Sequence, residues 1–116
     1  MTEDRIELPI VCLRQEGVFS TTAARRHAQI WGTMENNLDG IDELERGYAF
    51  RFPLEDALFR DIAEYVTYER LCCPFFHFSL ELDPSDEVVR LHLTGGAGVK
   101  EYLAVEIASR FENARG

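Results

Sequence analysis

Hydrophobic residues recur along this chain with two different periods, and the changes of period divide it into seven predicted elements. Within residues 5–14, Ile6, Leu8 and Ile10 occupy alternate positions, which is typical of a strand. From Leu58 onward, apolar residues recur every three or four positions, as they do along one face of a helix. The predicted elements are strands at 5–14, 47–53, 75–82 and 88–94 and helices at 20–37, 54–73 and 99–114.

Polar residues and a proline set the limits of the first two predicted helices. Ser20 is a cap-type residue that precedes a run with helical spacing. We expect the apolar face of that helix to comprise Ala24, Ala28, Trp31 and Met34 or Glu35. The acidic segment 39–45 is expected to be a solvated connection. Pro74 ends the second helix, because proline lacks an N–H donor and disfavours helical geometry in the residue before it.

The order of these elements, β-α-β-α-β-β-α, predicts an α+β fold. A sheet with one apolar face must bury it, and three amphipathic helices can cover it, so we expect a two-layer sandwich with a mostly antiparallel sheet. The chain of 116 residues is suited to a single domain spanning residues 1–116, and it contains no repeat or linker. The order of strands within the sheet does not follow from the sequence.

The last two strands form a hairpin whose register follows from its apolar positions. Pairing Leu82 with Val89 places the apolar residues of both strands on one face. Glu81 then lies opposite Arg90, and this pair of opposite charges independently supports the register.

Charge and composition exclude several classes of function. A formal charge of −9 and a pI near 4.7 argue against nucleic acid as a partner, because phosphate binding requires clustered Lys and Arg. Three cysteines, two of them adjacent, do not form a secreted disulfide framework. The longest apolar run, residues 8–13, is far below the roughly 20 residues that a membrane helix requires, and no secretory signal is evident. We therefore expect a cytoplasmic protein without a membrane partner.

The second helix carries a carboxylate on its apolar face. At about 100° per residue, Glu69 lies within about 20° of Leu58, close to Ile62 in the same stripe. Cys72 and Cys73 follow one turn later and flank Glu69 on the wheel. A carboxylate and two sulfurs are therefore expected to converge on one patch beside the sheet.

A buried carboxylate needs a partner, and three interpretations of this patch are open. In the first, Glu69 accepts hydrogen bonds from backbone or an arginine, while Cys72 and Cys73 pack as small apolar residues. In the second, the three residues form a functional thiol site. In the third, the adjacent cysteines form a strained vicinal disulfide.

The functional interpretation predicts binding of a soft metal ion or a thiol-reactive ligand. Thiolates favour Zn(II), Cu(I) or Hg(II) over Mg(II) or Ca(II). Cys72 and Cys73 would be ligands with Glu69 beside them, and Cys12 could join them if the first strand lies close. Binding is favoured over nucleophilic catalysis, because the partial negative charge of a helix C-terminus disfavours a thiolate. The alternatives are a non-catalytic homodimeric interaction module and a small enzyme that uses Glu69 as acid or base.

The three histidines are expected to lie away from this patch. The hairpin register makes His77 and His92 diagonal neighbours on the outer sheet face, as half-solvated residues, a two-histidine metal or acid/base site, or part of a dimer interface with Phe75. His27 follows two arginines and is expected to be a surface or boundary residue. The glycine-rich segment 94–100 lacks the spacing of a phosphate-binding loop and is expected to be a tight turn.

Two motifs resemble those of a family of small uncharacterised bacterial proteins. These are "ERLCCPFFHFSLEL", which begins at Glu69, and "LHLTGGAGVKEYL", which begins at Leu91. The resemblance would cover most of the chain and implies a loose association with heavy-metal resistance, particularly resistance to mercury. It implies no catalytic residue. The "TGGAG" segment departs from the proline or acidic residue expected in that loop, which weakens an anion-binding role there.

Overall fold

The computed structural model describes residues 19–105, which fold into three helices and four strands. The elements are α1 (Thr21–Asn37), β1 (Gly40–Leu44), β2 (Gly47–Pro53), α2 (Asp56–Cys72), β3 (His77–Asp83), β4 (Val88–Thr94) and α3 (Val99–Leu103). The predicted strand 5–14 and the end of the predicted last helix lie outside the described residues. Among the helices of residues 19–105, none has the length and apolar character needed to cross a membrane.

The four strands form one sheet in the order β1-β2-β4-β3, and every neighbouring pair is antiparallel. Because β2 and β3 are both antiparallel to β4, they run parallel to each other on its two sides. Helix α2 makes the connection between them, so β2, α2 and β3 form a split β-α-β unit. The predicted α+β class with a mostly antiparallel sheet is confirmed.

The register of the β3–β4 hairpin is the one expected from its apolar residues. Leu82 pairs with Val89 and Glu81 pairs with Arg90. The Arg90 guanidinium lies 3.8 Å from the Glu81 carboxylate, which agrees with the charge pairing. Alternation therefore sends Val89 to the core and its neighbours to the opposite face.

One face of the sheet is buried by the helices. Large apolar side chains from β2 and β4 join the inward residues of α1, α2 and α3 in a single core. This core includes Ile30, Met34, Phe50, Phe52, Leu58, Ile62, Tyr65, Val89, Leu91, Leu93, Val99 and Leu103. Helix α1 also packs against α2, so the helical layer covers the sheet as a unit.

Two local predictions are wrong. The acidic segment 39–45 contains β1, which pairs with β2, because Ile41 lies directly opposite Phe50 and reaches the core at its margin. The expected apolar face of α1 is right at Met34 and Trp31, which lie in the core or against it. It is wrong at Ala24 and Ala28, which are exposed. The buried residues of α1 are His27, Ile30 and Met34. Ile30 and Met34 bury far more apolar surface than alanines do, and they determine which face turns inward.

Candidate metal centre

The site lies in the last turn of α2, where the helix meets its terminating proline. The Cys73 N–H donates to the Glu69 carbonyl at 2.7 Å, the last hydrogen bond of the helical pattern. Cys73 itself leaves the helix with φ −129° and ψ 70°, and Pro74 cannot continue the ladder. Glu69, Cys72 and Cys73 are thereby held within one turn, on the side of α2 that faces the core.

The three side chains converge as the wheel predicts. All three are buried, and one ligand atom from each lies within 4.8 Å of the others. Within residues 19–105, this is the one group of three or more His, Cys, Asp or Glu side chains that converges in this way. The Cys72 and Cys73 Sγ atoms lie 3.6 Å apart, well beyond a disulfide bond of about 2.05 Å. The vicinal-disulfide interpretation is therefore wrong, and the Cys73 thiol lies within hydrogen-bond distance of the Cys72 sulfur.

His27 is the partner of the Glu69 carboxylate. Its Nε2 lies 2.9 Å from Glu69 Oε1, and the two residues are only 4% and 5% exposed. The tautomer of the imidazole determines which of the two groups carries the hydrogen that joins them. The expectation that His27 is a surface or boundary residue is wrong, because α1 packs with this face against α2. The expected arginine or backbone partner of Glu69 is replaced by an imidazole.

Aromatic rings enclose the buried pair. Tyr65 stacks on His27 with ring centroids 5.2 Å apart and an interplanar angle of 18°. The Phe19 ring contacts the imidazole from another direction, with ring centroids 5.3 Å apart. Burial raises the pKa of Tyr65 well above its ordinary value, and the Glu69 carboxylate adds to that rise. The Tyr65 phenol therefore stays neutral at physiological pH, so it adds no negative charge beside Glu69.

A surface network fixes α1 against α2 next to this pair. Arg26 donates from Nε and Nη2 to the two Glu64 carboxylate oxygens, each at 2.9 Å, and from Nη2 to Asp61 at 3.0 Å. The Tyr68 hydroxyl donates to the same Glu64 carboxylate at 2.9 Å. The hydrogen bond from Arg26, the residue that precedes His27, and then the one from Tyr68 lower the pKa of Glu64. The network therefore helps to hold the His27 helix against the Glu69 helix.

The other predicted site residues lie elsewhere. His77 is exposed at the beginning of β3. His92 lies on the outer sheet face, where its Nε2 is 3.5 Å from Glu81 Oε1. Neither belongs to the converging group. Cys12 lies outside the described residues, so its role as a ligand stays a prediction.

The glycine-rich segment 94–100 forms the turn into α3. The Gly95 N–H donates to the Arg46 carbonyl at 3.2 Å, which ties this segment to the β1–β2 turn. Gly98 has φ 91°, a left-handed conformation that other residues rarely adopt, and it immediately precedes α3. These features agree with the expected tight turn.

Sequence reasoning missed His27, although a signal for it was present. His27 precedes Ile30 by three positions and Met34 by seven, so the three residues share one helical face. A wheel centred on Ile30 and Met34, the two largest apolar residues of that face, would have placed the imidazole inward. Tyr65 lies on the same buried face of α2 as Glu69, but its proximity to His27 depends on how the two helices pack.

Because comparison with known proteins found no match, the function is inferred from the site itself. No family model, curated protein or solved structure matches the chain. The resemblance carried by the double-cysteine motif therefore stays a prediction. The geometry supports a coarser conclusion, which is that a buried Glu69–Cys72–Cys73 group could hold a metal ion.

Proposed function

We propose that this protein binds one thiophilic metal ion through Cys72, Cys73 and Glu69. The observation that carries the proposal is the convergence of two sulfurs and a carboxylate oxygen within 4.8 Å in a buried position. Two thiolates and a carboxylate would carry three negative charges, and a divalent ion offsets most of that charge. Such a ligand set suits a soft or borderline ion better than Mg(II) or Ca(II).

The sulfur separation favours a bent coordination geometry. With metal–sulfur bonds of about 2.3 Å, sulfurs 3.6 Å apart subtend an angle of about 100° at the metal. A linear two-coordinate ion would instead need the sulfurs about 4.6 Å apart. The arrangement therefore supports a tetrahedral or trigonal ion such as Zn(II), with Glu69 as the third ligand. A fourth position remains for a small exogenous ligand or for Cys12.

His27 has a positioning role in this proposal. Its 2.9 Å hydrogen bond to Oε1 fixes one oxygen of the Glu69 carboxylate and thereby orients the other. Hydrogen-bond partners behind a metal ligand typically change metal affinity by about 10- to 100-fold when they are removed. We therefore expect His27→Gln, which keeps a donor, to bind metal more tightly than His27→Leu.

Titration of the reduced protein with Co(II), followed by competition with Zn(II), tests the proposal. We expect one ion per chain and thiolate-to-cobalt charge-transfer absorption, with visible bands typical of four-coordination. Cys72→Ser and Cys73→Ser should each weaken binding by more than about a hundredfold, beyond the effect of removing a residue behind a ligand. His77→Gln is the matched control for His27→Gln, because His77 is exposed and outside the group, and it should leave binding unchanged.

Two further arms complete the titration. Cys12→Ser determines whether the third cysteine supplies the fourth ligand, and Hg(II) is included because the motif resemblance implies mercury. If the double variant Cys72→Ser/Cys73→Ser binds Co(II) and Zn(II) as tightly as the parent at neutral pH, the proposal is wrong. The buried group would then be structural.

A further inference from the structure

Strand β3 forms one edge of the sheet. In the order β1-β2-β4-β3, it pairs with β4 on one side, and within residues 19–105 no strand pairs with its other side. An edge of this kind presents a row of backbone N–H and C=O groups that can accept another strand. The seven residues His77–Asp83 are long enough for such pairing.

The sequence of β3 is self-complementary when two copies run antiparallel about Leu80. In that register Leu80 meets Leu80, and the residues at equal distances on either side pair with each other. The resulting pairs are His77 with Asp83, Phe78 with Leu82, Ser79 with Glu81, and Leu80 with itself. Imidazole therefore faces carboxylate, hydroxyl faces carboxylate, and apolar side chains face apolar side chains.

The two kinds of pair also separate onto the two faces of the sheet. Phe78, Leu80 and Leu82 pair with the core residues of β4 and so lie on the helix-covered face. Their cover is incomplete at this edge, since Leu82 is 43% exposed and the other two are half-buried. A second copy would extend the apolar face across the edge. The polar pairs would lie on the outer face, beside His92 and Arg90.

The opposite edge of the sheet lacks this property. In β1 the equivalent register would place Asp42 against Asp42 and Ile41 against Glu43. Like charges directly opposite one another destabilise a strand pair. Asp42 is also held by Arg51, whose Nε lies 2.7 Å from its carboxylate. Charged residues therefore disfavour strand pairing at the β1 edge, as is common in natural sheets. The β3 edge, in contrast, can pair with β3 of a second copy.

We propose that two copies of this chain associate through β3, antiparallel about Leu80, so that the four described strands of each copy join in one continuous sheet. The contact is isologous and closes on itself, so it produces a dimer and not a filament. Seven residues from each copy form a small interface, well below the roughly 20–30 residues a side of standard complexes. The dimer is therefore expected to dissociate on dilution.

Two substitutions that place opposite charges at Ser79 test the register of the β3–β3 pairing. Ser79 is exposed and faces Glu81 of the second copy, and by symmetry each substitution acts at two places. We expect Ser79→Glu to raise the dimer dissociation constant about tenfold and Ser79→Lys to lower it. Ala24→Glu is the control, because it adds the same charge at an exposed position on α1, away from the edge.

Sedimentation equilibrium of the full chain over a wide concentration range measures these constants, and circular dichroism verifies that each variant is folded. Opposite shifts for the two Ser79 variants, with Ala24→Glu close to the parent, support the dimer. A parent that stays monomeric at every concentration overturns the proposal. Equal shifts for Ser79→Glu and Ser79→Lys also overturn it, because they would place the interface elsewhere.

Discussion

Removal of the His27 side chain should destabilise the fold through the carboxylate that it leaves behind. In His27→Leu, Glu69 keeps its 5% exposure but loses the hydrogen bond at 2.9 Å. A hydrogen bond to a charged group contributes about 1.5–3 kcal/mol, and breaking a buried pair by removing one partner costs about 3–5 kcal/mol. Tyr65 remains beside the carboxylate, so we expect a loss of about 3 kcal/mol in the free energy of unfolding. That loss is a large part of the free energy of unfolding of a typical domain, which is roughly 5–15 kcal/mol.

A double-mutant cycle separates this interaction from the loss of packing. The four proteins are the parent, His27→Leu, Glu69→Leu and the double variant, and urea denaturation of the reduced, metal-free proteins gives each free energy of unfolding. Because the double variant leaves neither the imidazole nor the carboxylate without the other, its destabilisation should fall below the sum of the single changes by at least about 1.5 kcal/mol. His27→Gln, which retains a donor, should lose less stability than His27→Leu.

The cycle has a clear negative outcome. If the two single effects add to within about 0.5 kcal/mol, His27 and Glu69 are not energetically coupled. The buried hydrogen bond would then not hold the two helices together, and His27 would have no positioning role toward Glu69.

Further substitutions test the surrounding fold. Gly32→Ala should raise the melting temperature, because nothing lies within 4 Å of the added Cβ and alanine favours a helix by up to about 1 kcal/mol. Gly47→Ala should lower it, since its Cβ would collide with the Leu93 carbonyl oxygen; equal shifts would contradict this packing. Arg26 lowers the pKa of Glu64 from 4.5, so the stability that Glu64 adds is complete above about pH 4.5 and is lost as pH falls through the lower folded pKa. Glu64→Gln should therefore show a smaller loss of stability in acid denaturation, and an acid limb identical to the parent's would refute the pairing.

The candidate site was predictable where it depends on one helix. Glu69 and Cys72 belong to the last turn of α2 and Cys73 is its C-cap, so their convergence follows from the helical period and the point where the helix ends. The same holds for the β3–β4 hairpin, where alternating residues and the Glu81–Arg90 pair fix the register. Local periodicity determined both features.

The remaining features depend on contacts between distant segments. His27 reaches Glu69 across 42 positions of sequence, and two preceding arginines gave it the composition of a surface residue. Arg26 does stay at the surface, bound to Glu64, while the next residue turns inward. Strand β1 was missed for a similar reason, because its acidic residues mask the contribution of Ile41 to the core margin.

X-ray absorption spectroscopy of the zinc-loaded protein tests the central claim most directly. We expect a first shell with two sulfurs at about 2.3 Å and lighter ligands, including a carboxylate oxygen, at about 2.0 Å. Cys72→Ser should reduce the sulfur count by one, and Glu69→Gln should change the light-atom shell while leaving the sulfurs in place. A first shell of nitrogen and oxygen alone would contradict the assignment of Cys72, Cys73 and Glu69 as the metal site.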